Sequence, residues 1–559
     1  MALAARLDVH ELAPGPDITF LSGNKPAGKR KAMTHDSSNA YDAIPYTNRS
    51  FSGTHPNVLA TAATLLGIDP PGLENCRVLE LGCGMGGNLL PMAVSFPEGQ
   101  FVGIDLSKRQ VDEGTQTVET LGLTNLSLKA MSITDVDESM GSFDYILCHG
   151  VYSWVPEPVR EKILDICRRQ LTPNGVAYIS YNVYPGWHIR GMIRDMLRYH
   201  VRSFSDPREQ ISQARGFLQF LVKAAPKHKE SYARLLQDEL EIVNEAPDTY
   251  LFHEHLEDVN QPVYFQDFMA HAAAHSLDYL CEAKLSDSWE AGLPPEVTNV
   301  LENIAGDPIE AQQYLDFVRN NGFRKSLLCH AGVKQHSTPA WHRVEKLLIG
   351  SSATPATDNP DIHGKSAVKF ESRMGNLSTD EPILKSALLQ LAEAWPKPLA
   401  YPELLNQARR RLTSNENEAR EWEHRDHQVL GQSFLRAAIS SDFFSLHVHP
   451  GNFTTSLSDR PLACPLARWQ AAQGATLTNR LHRTIELGDP VTRLVLLSLD
   501  GEHDREQIVD DLCQRAEQGK IVLRKENVPV TDPEERRLMF ARSLEQILDG
   551  LAKCAVLID

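Results

Sequence analysis

Residues 78–88 read Val78-Leu79-Glu80-Leu81-Gly82-Cys83-Gly84-Met85-Gly86-Gly87-Asn88, an apolar strand running into a glycine-rich turn and then a helix. Glycines in such a turn let the backbone approach a ligand closely and leave the first N–H groups of the helix facing it. Gly82, Gly84 and Gly87 also match the G-x-G-x-x-G spacing of dinucleotide sites, so the turn alone fits a nicotinamide, a flavin or another nucleoside. Glu80 stands two residues before the first glycine, where dinucleotide binders usually keep an apolar residue, and a carboxylate there suits a cationic group. Asp105 ends the next strand, placed to accept hydrogen bonds from both hydroxyls of a ribose. Asp105 fits either ligand.

Outward from this turn, short apolar runs alternate with helical segments, the signature of a parallel sheet covered by helices. Strands are expected at Val78 to Leu81, Phe101 to Asp105, Leu126 to Lys129, Tyr145 to Cys148 and Val176 to Ser180. Helices are expected near Asn88 to Ser95, Lys108 to Leu121 and Glu157 to Gln170, and a helical stretch from about His188 to Val243. Phe268 to His275 reads as a helix leading into the run Leu277 to Ala283, and Phe323 to Cys329 makes a further strand.

The domain reading is a flexible tail over 1–39, a core over 40–205 and a helical region over 206–350 that completes the sheet and pairs subunits. A Ser/Thr/Pro/Asp/Gly-rich linker follows over 351–382. A winged-helix-like domain over 383–460 rests on helices at Ile383 to Ala394 and Pro402 to Leu412 and a strand at Phe443 to Val448. A helical domain over 461–559 has helices near Thr492 to Leu499, Arg505 to Glu517 and Glu535 to Cys554.

The 559 residues are 42% hydrophobic and 23% charged, ordinary for a folded chain of several domains. A formal net charge of −17 argues against nucleic acid as a partner, which needs clustered Lys and Arg. The nine cysteines include no Cys-x-x-Cys pair, so the expectation is a reducing cytoplasm without a zinc ribbon or disulfide framework. No run approaches the roughly 18 apolar residues that span a bilayer, so no membrane insertion is expected. His253-Glu254-His255 invites a metal reading, but i,i+2 histidines fall on different helix faces; structural histidines and no metal are expected.

The stretch from Val78 to Ser107 resembles motif I and its acidic successor in class I S-adenosylmethionine (AdoMet) methyltransferases. The resemblance implies an α/β, Rossmann-like fold with a mainly parallel seven-stranded sheet, here with a helical insertion and a mainly α, winged-helix-like carboxyl-terminal region. It implies AdoMet as cofactor, with Glu80, Gly82, Cys83, Gly84, Gly86 and Asn88 around its methionine end, Asp105 at the ribose and Leu106 against the adenine. Where many members place an adenine-binding acid, this chain has Met131-Ser132-Ile133. The Ser132 hydroxyl and the Ile133 N–H take that role in this reading, with Asp135 past the loop. His149, directly after the fourth strand, faces the cofactor or orients the loop.

Phe143 to Pro156, Tyr181 to Trp187 and Ala40 to Tyr46 together look like a bacterial family of methyltransferases with a methyltransferase regulatory domain. Its known members include rickettsial protein-lysine methyltransferases that modify an outer-membrane surface protein. The resemblance continues through His253 to Glu257, Pro262 to Phe265 and Gln313 to Phe317, and weakly through Pro461 to Arg468 and Leu499 to Gly501. It implies a protein substrate presenting lysine, such as a surface protein before export, and a homodimer. Tyr46, Tyr152, Trp154, Tyr181 and Asn182 are the candidate residues for positioning the amine, Tyr152 and Trp154 as walls of a slot; the competing reading packs Trp154 under the next helix. Tyr41 would lie over the cofactor. Two other functions fit the same fold: a small-molecule methyltransferase, and a silent AdoMet-binding scaffold.

Overall fold

The computed structural model describes residues 44, 48–226, 228–289, 293–333, 336, 338–413, 423–454, 457–525 and 528–558. The expected tail over 1–39 and the candidates Tyr41 and Tyr46 lie outside these residues.

Seven strands form one sheet: β1 (Arg77–Leu81), β2 (Gln100–Asp105), β3 (Leu126–Ala130), β4 (Phe143–Cys148), β5 (Leu171–Asn182), β6 (Leu277–Glu282) and β7 (Phe323–His330). Their order is β3-β2-β1-β4-β5-β7-β6. β1 to β5 pair in parallel, and β7 runs antiparallel between β5 and β6. Helices on both faces make the inner strands apolar throughout, and Val78, Leu79, Leu81, Tyr145, Ile146, Leu147 and Cys148 are fully buried. The chain leaves β1 toward β2 on one side and returns to β4 on the other, so the carboxyl ends of these strands flank a topological switch point, where ligands of open α/β sheets bind.

The segments expected at 277–283 and 323–329 do complete the sheet. A buried ionic cluster holds this edge: Arg324 on β7 bonds Asp316 Oδ2 at 2.9 Å and Glu282 Oε1 at 2.7 Å, with its guanidinium 4.0 Å over the Phe265 ring.

Residues 190–257 form a separate compact unit of helices. Most of helix Trp187–Val201, helices Pro207–Ala224 and Glu230–Glu245, and the π-turn Phe252–Leu256 pack around Ile193, Leu197, Leu218, Leu236 and Val243. His253 and His255 diverge, as i,i+2 spacing requires. His253 bonds Glu257 and the Ile44 carbonyl, whereas His255 bonds Glu239.

Beyond β7 the structure departs from the expected linker. Within 351–382, Thr354–Pro355, Val368–Ser372 and Gly375–Thr379 form a three-stranded antiparallel sheet. Buried Lys385 donates from Nζ to the carbonyls of Gly364 and Ser366 at 2.7 Å, which holds the polar loop that composition reads as a linker. Helices Pro382–Ala394, Tyr401–Leu412 and Glu423–Ser440 follow, with a small sheet of Leu348–Gly350 between Leu399–Ala400 and Ser445–His447. The last hundred residues are not purely helical either. Besides helices Pro465–Gln473, Pro490–Ser498, Arg505–Glu517 and Pro533–Lys553 they contain a hairpin, Thr476–Thr478 with Thr484–Glu486. Strands of two or three residues are too short to leave an alternating pattern in sequence.

Candidate active site

The glycine turn is fixed to β2 from below. Gly82 and Cys83 donate their N–H groups to the Ile104 carbonyl at 2.9 and 3.0 Å. Gly82 has φ +78°, and a Cβ there would meet Val151 Cγ2 at 2.5 Å, so only glycine lets the loop after β4 close over the turn. Gly84, at φ +54°, donates its N–H to Asp105 Oδ2 at 2.8 Å, and Ser107 N–H donates to Oδ1 at 2.8 Å. These two bonds orient the Asp105 carboxylate at the tip of β2, and each oxygen can accept more than one hydrogen bond. Leu106 beside it is 56% exposed, an apolar surface of the kind that packs on a base.

Glu80 is buried at the other end of the turn. Asn88 Nδ2 donates to its Oε1 at 2.8 Å, while Oε2 is shielded from solvent with no hydrogen-bond partner among the described residues. Burial pushes the Glu80 carboxyl up to about 8, against the Asn88 hydrogen bond, and the nearby Asp105 raises it further. A buried, under-bonded carboxyl oxygen beside a glycine turn fits the cationic ammonium of a methionine moiety. Cys83 is buried and its thiol is pushed well up by desolvation, so it lines the turn as a neutral group. Gly86 also takes a positive φ, packed on Leu128.

Asn88 does more than the turn requires. Its Oδ1 accepts from Phe51 N–H at 3.0 Å, the Thr54 hydroxyl at 3.0 Å and His482 Nε2 at 2.8 Å. His482 sits in the turn of the carboxyl-terminal hairpin with φ +57°, and nothing in the sequence marks it as part of this site. His55, His447 and His449 gather around it. The His55 and His482 rings are 5.1 Å apart, and Asn57 bonds His447 at 2.7 Å. Burial lowers His55 to about 3 and His447 to about 4, so these rings are neutral.

On the adenine side, Ser132 and Ile133 follow β3 next to Asp105, whose carbonyl accepts from Met131 N–H at 2.9 Å. The Ser132 hydroxyl caps the following turn by accepting from Thr134 N–H at 3.2 Å. The exposed hydroxyl keeps its own O–H to donate.

The acceptor side corrects two expectations. Tyr152, expected as one wall of a slot, and Tyr181, expected to position the amine, both face the core. Both are 1% exposed, T-shaped to each other, and packed on Phe268, which stacks on Tyr181 at 3.9 Å. The Tyr152 hydroxyl bonds His271 Nδ1 at 2.7 Å and the Tyr181 hydroxyl bonds Ser326 at 2.8 Å. An aromatic at the end of an inner strand faces either the ligand or the covering helix, and here the helix Phe265–Ala274 takes both. Trp154 is half-buried, with its ring T-shaped to Trp187 at 6.1 Å. Asn182 is buried, its N–H bonded to the Ser153 hydroxyl at 2.9 Å, and its Nδ2 has no hydrogen-bond partner among the described residues. His149 lies at the tip of β4 with its ring 3.9 Å from Phe51 and Nδ1 2.8 Å from the Tyr178 hydroxyl. Burial lowers it to about 4.

Known proteins match this arrangement over nearly the whole chain. Three family models cover it in turn: a methyltransferase domain over 73–237, a predicted methyltransferase regulatory domain over 247–330, and the PKMT C-terminal winged helix domain over 459–556. The last places the winged helix after residue 458, in the region read from sequence as helical. The chain is 34% identical to uncharacterized protein RP789 of Rickettsia prowazekii over 529 residues, 93% of this chain and 94% of that protein. The structure of PKMT2 from Rickettsia typhi in complex with AdoHcy is similar with a TM-score of 0.81 at 29% identity, covering 92% of this chain and all of that one. Among the described residues no helix is long and apolar enough to cross a membrane. The seven-stranded fold, the glycine turn with Glu80 and Asp105, and these full-length matches lead to one conclusion: the chain is a class I AdoMet-dependent methyltransferase and belongs to the bacterial family that carries a methyltransferase regulatory domain and a PKMT-type winged helix.

Proposed function

We propose that this enzyme methylates lysine side chains of a protein substrate. The observation that carries the reading is the likeness to PKMT2 through all domains, the carboxyl-terminal winged helix included, since PKMT denotes a protein-lysine methyltransferase. More than two hundred residues beyond β7 exceed what a small acceptor needs and suit docking of a macromolecule. In that setting Glu80 and Asp105 hold the two ends of AdoMet, which supplies an electrophilic methyl group to a neutral amine by in-line displacement.

Delivering lysine neutral costs about 4.6 kcal/mol at pH 7, from its free pKa of ~10.4. His149 is too weakly basic to take that proton near neutrality. Desolvation against Trp154 lowers the amine's own pKa instead, and solvent removes the proton before transfer. Most of the acceleration is positional. We further infer a cytoplasmic homodimer, supported by the exposed Tyr199, Phe220 and Ile242 of the helical unit and by nine free thiols.

Labelled AdoMet incubated with cell extract tests the acceptor class. Label in protein, mapped by mass spectrometry to lysine, is the expected result; label confined to the low-mass fraction refutes it.

A further inference from the structure

We infer that Glu161, His271 and His275 form a divalent-cation site, of the kind that takes zinc, clamping helix Glu157–Gln170 to helix Phe265–Ala274. One ligand atom from each residue lies within 4.8 Å of the others. Glu161 Oε1 is 2.9 Å from His271 Nε2, and Oε2 is 2.9 Å from His275 Nε2. The two histidines stand four residues apart, on one helical face, with their rings T-shaped at 5.4 Å. Two imidazole nitrogens and a carboxylate oxygen are the donor set of three-ligand zinc sites, in which water completes the tetrahedron. Glu161 is half exposed, so water can reach the remaining position.

A plain ion pair between the histidines and the carboxylate is the competing outcome, and the second nitrogen of His271 is already committed. Its Nδ1 is engaged by the Tyr152 hydroxyl at 2.7 Å. Its Nε2 is shielded from solvent and faces Glu161 Oε1 at 2.9 Å. In a metal-loaded site this nitrogen would give its lone pair to a cation shared with the carboxylate. The Tyr152 bond would be the outer support that fixes the tautomer, with Nδ1–H donating to the hydroxyl and the Nε2 lone pair turned to the ion. Tyr152 heads the turn that carries Trp154, so an ion here would stiffen the acceptor-side loop from outside the AdoMet pocket.

The test uses full-length, untagged, chelator-stripped protein titrated with Zn²⁺ against a chromophoric chelator, and with Co²⁺ followed by visible absorption. One equivalent of Zn²⁺ per chain is expected, with Co²⁺ bands of a low-coordinate nitrogen–oxygen site. Glu161→Gln and His275→Gln should each weaken Zn²⁺ binding at least roughly tenfold. The Glu161 side chain is half exposed, and the metal-free thermal midpoint of Glu161→Gln should stay near the wild-type value. Zn²⁺ should raise the midpoint of the wild type alone. Wild-type protein that takes up no Zn²⁺, or variants that bind it as tightly as the wild type, would overturn the site.

Discussion

His482 Nε2 lies 2.8 Å from Asn88 Oδ1, so the carboxyl-terminal hairpin holds the same amide that holds Glu80 beside the glycine turn. A hydrogen bond to a neutral partner contributes about 1 kcal/mol net. His482→Gly keeps the positive φ but removes the ring, and should weaken AdoHcy binding about fivefold by calorimetry. His482→Gln should lose less if its amide reaches Asn88. Unchanged affinity in the glycine variant would mean that the hairpin only packs against the pocket.

The histidine cluster around this contact sets an acid limit. His55 and His447 are lowered to about 3 and 4, and His482 lies well below its usual value, all chiefly by burial. Below the unfolded value near 6.5 the unfolded chain gains protons that the folded one refuses. Stability is therefore complete above about pH 6.5 and lost as pH falls toward 4, by up to about 1.4 kcal/mol per pH unit for each histidine. Urea titrations at pH 7.5, 6.5 and 5.5 should show the midpoint falling steeply over the last step. His55→Asn, replacing one of the four rings, should flatten the slope.

Glu80 gives cofactor binding the opposite dependence. Its carboxyl, raised to about 8, is protonated at neutral pH in the ligand-free protein. The ammonium of AdoMet favours the ionised form, so binding releases a proton and tightens as pH rises from 6.5 through 8. Affinity measured across that range should rise severalfold, and calorimetry in buffers of different ionisation enthalpy should detect the released proton. Glu80→Gln should bind more weakly and lose the pH dependence; a variant that keeps both would show that Glu80 does not face the ligand.

What was legible from sequence is the part built by local pattern. The strand–glycine turn–helix around Gly82 and the acid at Asp105 follow from close backbone approach and strand-tip chemistry, which neighbouring residues encode. His482 was not legible, because it lies 394 positions from Asn88 and its role exists only once the hairpin packs on the core. Tyr152, read as a slot wall, and Tyr181, read as a positioning residue, are buried, because aromatic residues at strand ends serve the core as readily as a ligand site. The His271-x-x-x-His275 spacing was visible, but Glu161 comes from a helix more than a hundred residues earlier, so the third donor had no local signal.

The regulatory region carries a testable debt in Arg324. It is 2% exposed at the side chain and pairs with Asp316 and Glu282, themselves 0% and 5% exposed. Arg324→Ala would strand two buried carboxylates and should cost about 3–5 kcal/mol, seen as a collapse of soluble, folded protein. A double change of Arg324→Met with Asp316→Leu should recover part of the loss, because it leaves fewer unpaired charges. A single alanine variant with wild-type thermal stability would contradict the buried-pair account.

Trp154 and Tyr152 make opposite predictions on the acceptor side. Trp154 is half-buried at the end of the turn after β4, whereas Tyr152 is sealed in the core and bonded to His271. If Trp154 desolvates and aligns the amine, Trp154→Ala should lower turnover by about tenfold or more on a verified lysine substrate. It should leave AdoHcy affinity within about twofold, because the ring belongs to the acceptor and not to the nucleoside. Tyr152→Phe keeps the ring packing and removes only the hydroxyl. Its effect should therefore be small in turnover and visible instead in Zn²⁺ affinity through His271. Steady-state kinetics of both variants beside AdoHcy titrations separate the two roles, and an unimpaired Trp154→Ala enzyme would place the acceptor elsewhere along the strand tips.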